Sequence, residues 1–264
     1  MWRAVLVGER CSHKILPYMC KFYVECNLTT VRTTRGTMKR ARLTHDTIVD
    51  AAAEVARARG LERLSMRAVA SELGVEAMSL YHHVSNKESL LDALVEWVYA
   101  RITLPPFDAP WQDAQRIRAL SARAILAQNP WALTLIESRT TPGPHLLRHH
   151  NAVIGSFRCN GFTVQQAAHA MLVIDAYIYG FVLNETQLPF EGGAEADQLT
   201  QDMKLPATDF PYLAEFVDTL IRDKGYNFSE QFTAGLDLIL HGLSPTDATS
   251  IHGSQEPLKS SETQ

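Results

Sequence analysis

Ser65-Met66-Arg67-Ala68-Val69-Ala70-Ser71-Glu72-Leu73-Gly74-Val75-Glu76-Ala77-Met78-Ser79-Leu80-Tyr81-His82-His83-Val84 reads as a short amphipathic helix, a tight turn and a second short helix. Ser65 is placed to cap the first helix with its hydroxyl. Met66, Val69, Ala70 and Leu73 recur at helical spacing and give one apolar face. Ala70 is small enough to let the second helix cross closely. Gly74 follows the last apolar position and can take the left-handed conformation that ends a helix. Val75 re-enters the core, and Glu76 sits where a negative charge favours a helix N-terminus. Leu80 and Val84, four apart, face inward. Ala77, Met78, Ser79, Tyr81, His82 and His83 are left facing out or sideways. That surface is odd for water but suits base edges, thymine methyls and phosphates. A helix-turn-helix of this shape lays its second helix in the DNA major groove. An ordinary helical hairpin in an all-α core carries the same pattern, so the flanks must decide.

Upstream, Thr44 is placed to cap a helix running to about Arg59, lined by Ile48, Ala52, Val55 and Ala56 and stopped by Gly60. Downstream, Ser85 with Glu88 reads as a capping box. The helix it opens, over 85–103, has Leu90, Leu91, Leu94 and Val98 inside and ends at Pro105-Pro106. Three short helices are thus followed by a long one that leaves the bundle.

With these flanks, the run Thr44 to Arg101 resembles the DNA-binding domain of the TetR family of transcriptional regulators. The family hallmark is Leu-Tyr-x-His/Tyr-Val/Phe-x-Asn/Asp-Lys, and here it reads Leu80-Tyr81-His82-His83-Val84-Ser85-Asn86-Lys87. Leu90-Leu91-Asp92-Ala93-Leu94 and Trp111-Gln112-Asp113 resemble the tetracycline-repressor branch, and the likeness extends over residues 42 to 243. The resemblance implies that Arg67, Ala77, Met78 and Ser79 touch bases, that Tyr81, His83 and Lys87 touch phosphates, and that His82 belongs to the same reader. Two positions depart from the tetracycline repressor. Ala77 replaces an amide side chain and His82 replaces an indole. Loss of the amide removes a bidentate adenine contact, which implies a different operator.

The net charge of −4 is not that of a generic nucleic-acid binder, and residues 38–103 carry nine Lys/Arg against nine Asp/Glu. Placement matters more than the sum. Arg32, Arg35, Lys39, Arg40 and Arg42 precede the first helix and form an arm for phosphates or the minor groove, or else a solvated tail. The expected organisation is a leader over 1–37, a DNA-binding domain with connecting helix over 38–103, a ligand-binding and dimerisation domain over 104–243, and a disordered tail over 244–264. The leader holds Cys11, Cys20 and Cys26 at spacings that match no zinc pattern, and it has no apolar run long enough to cross a membrane. Met38 starts Met-Lys-Arg-Ala-Arg, so translation is expected to begin near it, or else the leader to be disordered. With Cys159 as its one remaining cysteine, the body reads as a reduced cytoplasmic protein.

From Trp111 onward helices are expected over 111–128, 130–138, 143–160, 163–187, 209–224 and 228–243, with a long loop over 189–209. Strand alternation is missing, so the fold class is all-α. The 163–187 helix is apolar on several faces and must be covered on all of them. Pairing it and the 228–243 helix with a second copy covers them and gives a homodimer, the arrangement that the resemblance also implies. The core helix of a monomer is the alternative. A small-molecule cavity between helices is expected to be lined by Leu126, Trp131, Leu135, Ile136, Glu137, Leu172, Asp175, Tyr179 and Asn184, although each apolar member also suits plain core. Glu137, Asp175 and Asn184 say more, because a buried polar group demands partners.

The tetracycline repressor holds its metal through histidines on two pocket helices. The matching positions fall near Glu137 and Ala176, and a nearby acidic position becomes Asn184. Ala176 cannot ligate, so the resemblance argues for another, partly apolar effector and implies no cofactor. His145 and His149 lie four apart beside His150, but an exposed polar helix face accounts for them without a metal. The chain lacks a nucleophile elbow, a paired-cysteine metal motif and a Gly-rich phosphate loop, which argues against an enzyme. The expected function is a homodimeric repressor released from operator DNA by a small molecule. The alternative is a ligand-independent dimeric activator or architectural factor.

Overall fold

The computed structural model describes residues 42–139, 141–187, 206–221 and 226–245. The expected leader, the arm before Arg42, residues 189–205 of the long loop and the tail beyond Pro245 lie outside the described residues. The chain divides into units Met1–Thr44 and His45–Gln264. Of the first, only residues 42–44 are described, and they carry no regular structure.

In the second unit, all regular structure among the described residues is helical. The first helix, α1 (His45–Arg59), has Asp46 in its first turn and Arg57 and Arg59 in its last, matching the helix dipole at both ends. Its stripe of Ile48, Ala52, Val55 and Ala56 is buried against α2 (Met66–Leu73) and α4 (Lys87–Tyr99). Between α2 and α4 lies α3 (Ala77–Leu80). Leu80, Leu90 and Leu94 are fully buried at the centre of this bundle, each contributing about 2 kcal/mol by burial.

Two boundaries differ from the sequence expectation. The cap of α4 is Asn86, not Ser85. The Asn86 Oδ1 accepts from the Ser89 N–H at 2.8 Å, which shifts the helix start by one residue. Glu88 therefore falls out of capping register and pairs instead with Arg139 at 2.6 Å. The end of α4 comes at Tyr99, well before Pro105. The Thr103 N–H donates to the Ser121 hydroxyl at 2.9 Å, which draws the chain off the helical path before proline could break it.

The larger bundle comprises α5 (Trp111–Gln128), α6 (Trp131–Ser138), α7 (Pro144–Cys159), α8 (Val164–Gln187), α9 (Pro211–Leu220) and α10 (Phe228–Gly242). The central helix α8 packs on α5, α7 and α10, while α4 packs on α6 and α7. Ala167, Ala170, Ile174, Ile178 and Val182 form the buried stripe of α8. Rotated away from it, Leu172, Val173, Ala176, Gly180, Leu183 and Asn184 are exposed. Leu238 on α10 is 78% exposed as well. Length and composition alone would let α8 cross a membrane. In the bundle, however, its Asp175 and Glu185 are paired with Arg118 and Arg123 of α5.

Candidate functional site

The reader is built on one helix cap, one tight turn and two anchors. The Ser65 Oγ accepts from the Ala68 N–H at 3.2 Å, so α2 starts where its hydroxyl residue stands. Gly74 lies at φ 63°, ψ 36°, a left-handed conformation that costs an L side chain about 1–2 kcal/mol. There the Val75 N–H returns to the Ala70 carbonyl at 3.0 Å and the Gly74 N–H to Ser71 at 3.2 Å. Leu80 and Val84 are buried and pin the following segment. The regular helix α3 is only one turn long, and residues 81–83 continue it as turns, shorter than the helix read from sequence. Met78, 73% exposed, stands out with Arg67, Tyr81, His82, His83 and Lys87, while Ala77 and Ser79 are half-buried. Neither Arg67 nor Lys87 is ion-paired with any described residue. Two free cations flanking a methionine, a tyrosine and two histidines make a surface for phosphates and base edges.

The helix behind this reader is tied to the larger bundle along its whole length. Arg139, just past α6, reaches Glu88 at 2.6 Å and Asp92 at 2.7 Å. One turn on, the Glu96 carboxylate accepts from the His145 and Leu146 N–H groups at 2.6 and 3.1 Å, capping α7 from outside. The Trp97 ring lies 6.3 Å from that of Trp131. At the end of α4, the Tyr99 and Tyr179 hydroxyls are 3.2 Å apart. A groove of about 720 Å³ runs between α1, α4, Arg139 and residues 141–145. A second, of about 640 Å³, is lined by Arg57, Lys87, Leu91 and Trp131.

Behind Tyr99 lies a polar centre inside the bundle. Arg118 of α5 is 1% exposed. Its Nη1 donates to Asp175 at 2.5 Å and its Nε to the Gln115 Oε1 at 2.9 Å. His149 of α7 is buried with its ring 5.1 Å from that of Tyr99. Burial first, then Arg118 and His150, push its pKa down to about 3, so the ring is neutral. Burial also lowers the pKa of His150, and it raises those of Tyr99 and Tyr179. Among the described residues, the Arg118 Nη2, the Gln115 Nε2 and both His149 ring nitrogens are buried without a hydrogen-bond partner, and so are the Ser156 Oγ farther along α7 and the Trp131 Nε1 of α6. Each such group forfeits about 1–3 kcal/mol unless a polar guest meets it.

Of the pocket residues expected from sequence, Asp175 and Tyr179 meet at this centre. Leu126 and Leu135 are fully buried core, and Trp131 is buried beside a surface groove. Ile136 is half-buried and Glu137 is exposed. Leu172 and Asn184 depart from the expectation. They stand on the outer stripe of α8, about 200° round the helix from Ala170 and Val182 at 100° per residue. His149 also departs from it, since it is buried rather than on an exposed polar face. The sequence reading missed Gln115, Arg118 and Ser156. The available signal was a polar pair inside the buried stripe Trp111, Ala114, Ala119, Ala122 and Leu126 of α5.

Residues 48–94 match the family described as "Bacterial regulatory proteins, tetR family", and residues 104–246 match "Tetracyclin repressor-like, C-terminal domain". The HTH-type transcriptional repressor DrrR1 of Streptomyces coeruleorubidus is 36% identical over 151 residues, which are 56% of this chain and 55% of DrrR1. The tetracycline repressor protein class D of Escherichia coli is 30% identical over 77% of this chain and 90% of its own length. Among solved structures, ActR from Streptomyces coelicolor in complex with actinorhodin superposes with a TM-score of 0.61 at 29% identity, covering 77% of this chain and 97% of ActR. The all-helical architecture, the Leu80–Lys87 string on its helix-turn-helix and the match over both parts of the chain agree: the chain belongs to the TetR family of bacterial transcriptional regulators.

Proposed function

We propose that two copies of the chain pair through α8 and α10, bind a two-fold operator with Arg67, Ala77, Met78, Ser79, Tyr81, His82, His83 and Lys87, and release it when a small organic molecule enters the polar centre around Arg118. The protein is a ligand-responsive DNA-binding repressor, as its family membership and the ActR complex support. The unpartnered buried atoms at the bundle centre carry the effector part of this reading, because a polar guest is what they lack. They also favour it over a ligand-independent DNA-binding factor. The exposed apolar stripe of Leu172, Val173 and Leu183, with Leu238 beside it, supports the pairing. The relatives are named as regulators, and the site is proposed in the cytoplasm without a catalytic role or cofactor.

Coupling runs through α4. One end of this helix abuts the reader, and its other end carries Tyr99 at the polar centre. A guest that displaces Tyr99 or His149 tilts α4, and a shift of about 1–2 Å misplaces two readers that must fit half-sites together. The guest must bind the released state more tightly than the DNA-bound one.

Footprinting on the DNA flanking the protein's own gene tests the reading. A protected, two-fold site with steep salt dependence is expected, with strong loss on Arg67→Ala or Tyr81→Ala. Absent or sequence-independent binding by the purified protein would overturn it.

A further inference from the structure

We propose that the groove between the end of α1, the start of α4 and the start of α6 is a second ligand site, which takes a small organic anion with an aliphatic body and draws Lys87 away from DNA. The groove has a volume of about 640 Å³ and shares no lining residue with the polar centre. Binding rests on the groove alone, and the effect on DNA rests on reading Lys87 as a phosphate contact.

The body of the guest follows from the walls. Ala56 and Leu61 line one side, and Leu91 and Pro130 the other parts of an apolar surface. Trp131 is the one aromatic ring among the lining residues, so the walls suit an aliphatic chain better than a stacked ring. The head group follows from three features. Lys87 lines the groove, is exposed and is ion-paired with no described residue. Trp131 is 8% exposed, and its Nε1 is buried without an acceptor among the described residues. Because the ring lines the groove, a small rotation brings that N–H to an acceptor bound there, and the unmet donor favours the movement. Finally, α6 opens at this wall with no side-chain cap, which leaves the positive end of its dipole there.

The lining carries Arg57 and Lys87 against Glu62, which leaves one positive charge. Arg57 is spent on Glu54 and Asn129, so Lys87 is the cation a guest can claim. Glu62 folds over Gly60, where a β-carbon would lie 2.3 Å from its Oε1. Lys87 is the first residue of α4, beside the reader. A carboxylate that holds its ammonium in the groove keeps it from a DNA phosphate, with no rearrangement of the larger bundle.

Calorimetry on the full chain with octanoate, octan-1-ol and octylammonium tests the site. Octanoate should bind saturably, the alcohol about tenfold more weakly and the cation more weakly again. Thr134 lines the groove, is exposed and lies outside the reader. Thr134→Glu should weaken octanoate binding about tenfold and Thr134→Lys should tighten it, both with the parent's melting temperature. Glu62→Gln should tighten it too. Trp131→Phe keeps a ring, loses the N–H and should weaken binding about tenfold. In gel shifts, saturating octanoate should weaken operator binding about as much as Lys87→Ala does, lower the salt slope by about 1, and add nothing in that variant. No octanoate binding, equal binding of octylammonium, binding untouched by Thr134→Glu, or octanoate-driven release that persists in Lys87→Ala would overturn the inference. Operator binding without octanoate binding removes the groove site alone. Absent operator binding removes the repressor reading, and calorimetry still decides the site.

Discussion

The Arg118 guanidinium meets the Asp175 carboxylate at 2.5 Å across 57 positions of sequence, inside the protein and with the arginine 1% exposed. Neither charge is tolerable there alone. Asp175→Ala leaves a buried, unpaired cation and is expected to cost about 3–5 kcal/mol in urea unfolding. The double variant Arg118→Met, Asp175→Leu should recover most of that loss, because two apolar side chains replace the pair. A double variant no more stable than Asp175→Ala would show that the pair is not the source of the cost.

Acid should destabilise the fold through His149. The pKa of its ring is about 3 when folded and near 6.5 when unfolded, so between those values the unfolded chain binds a proton that the folded ring refuses. The contribution is complete above the unfolded value and is lost as pH falls, by up to about 1.4 kcal/mol per pH unit. His149→Leu should flatten this slope. Urea melts at about pH 7 and about pH 5 check it, and an unchanged slope in the variant would assign the effect elsewhere.

Gly74→Ala is expected to cost about 1–2 kcal/mol. A β-carbon there meets nothing within 4 Å, so the loss is purely conformational. Gly74→Asn should lose less, since Asn tolerates the left-handed region. Thermal melts by circular dichroism give the ranking, and equal losses for the two would argue for a steric origin instead.

On operator DNA, Lys87→Ala should weaken binding uniformly across sequences and lower the salt slope by about 1. Arg67→Ala should cost about 1–3 kcal/mol and relax preference at one base position. Both side chains are exposed and free of ion pairs with described residues, so folding should be untouched. Gel shifts at several salt concentrations distinguish the two roles.

Leu172→Glu and Leu238→Glu place charge on the open stripes of α8 and α10. In a dimer paired there, each should shift the protein to monomer in sedimentation velocity while leaving helix content intact. A monomeric parent, or a dimer indifferent to both changes, would locate the pairing elsewhere.

Much of this protein is local in origin and was therefore legible in the chain itself. Ser65, Gly74, Leu80 and Val84 shape the reader through contacts within a few residues, so spacing gave the helix-turn-helix, and the flanks with the Leu80–Lys87 string gave its kind. The period of Ala167, Ala170, Ile174, Ile178 and Val182 likewise fixes one face of α8. Even local signals compete, however. Ser85 and Asn86 can both cap a helix, and only the folded geometry selected Asn86 and freed Glu88 for Arg139. Of the polar centre, Asp175 and Tyr179 were legible in the sequence, and their partners were not. Gln115 and Arg118 look like surface residues until α5 is turned inward against α8. His149 looks like part of a polar face until Tyr99 covers it. Which side of a helix is buried depends on partners tens of residues away. The sequence alone therefore determined the DNA reader and the helical class, and tertiary packing decided which polar groups would be sealed inside without partners.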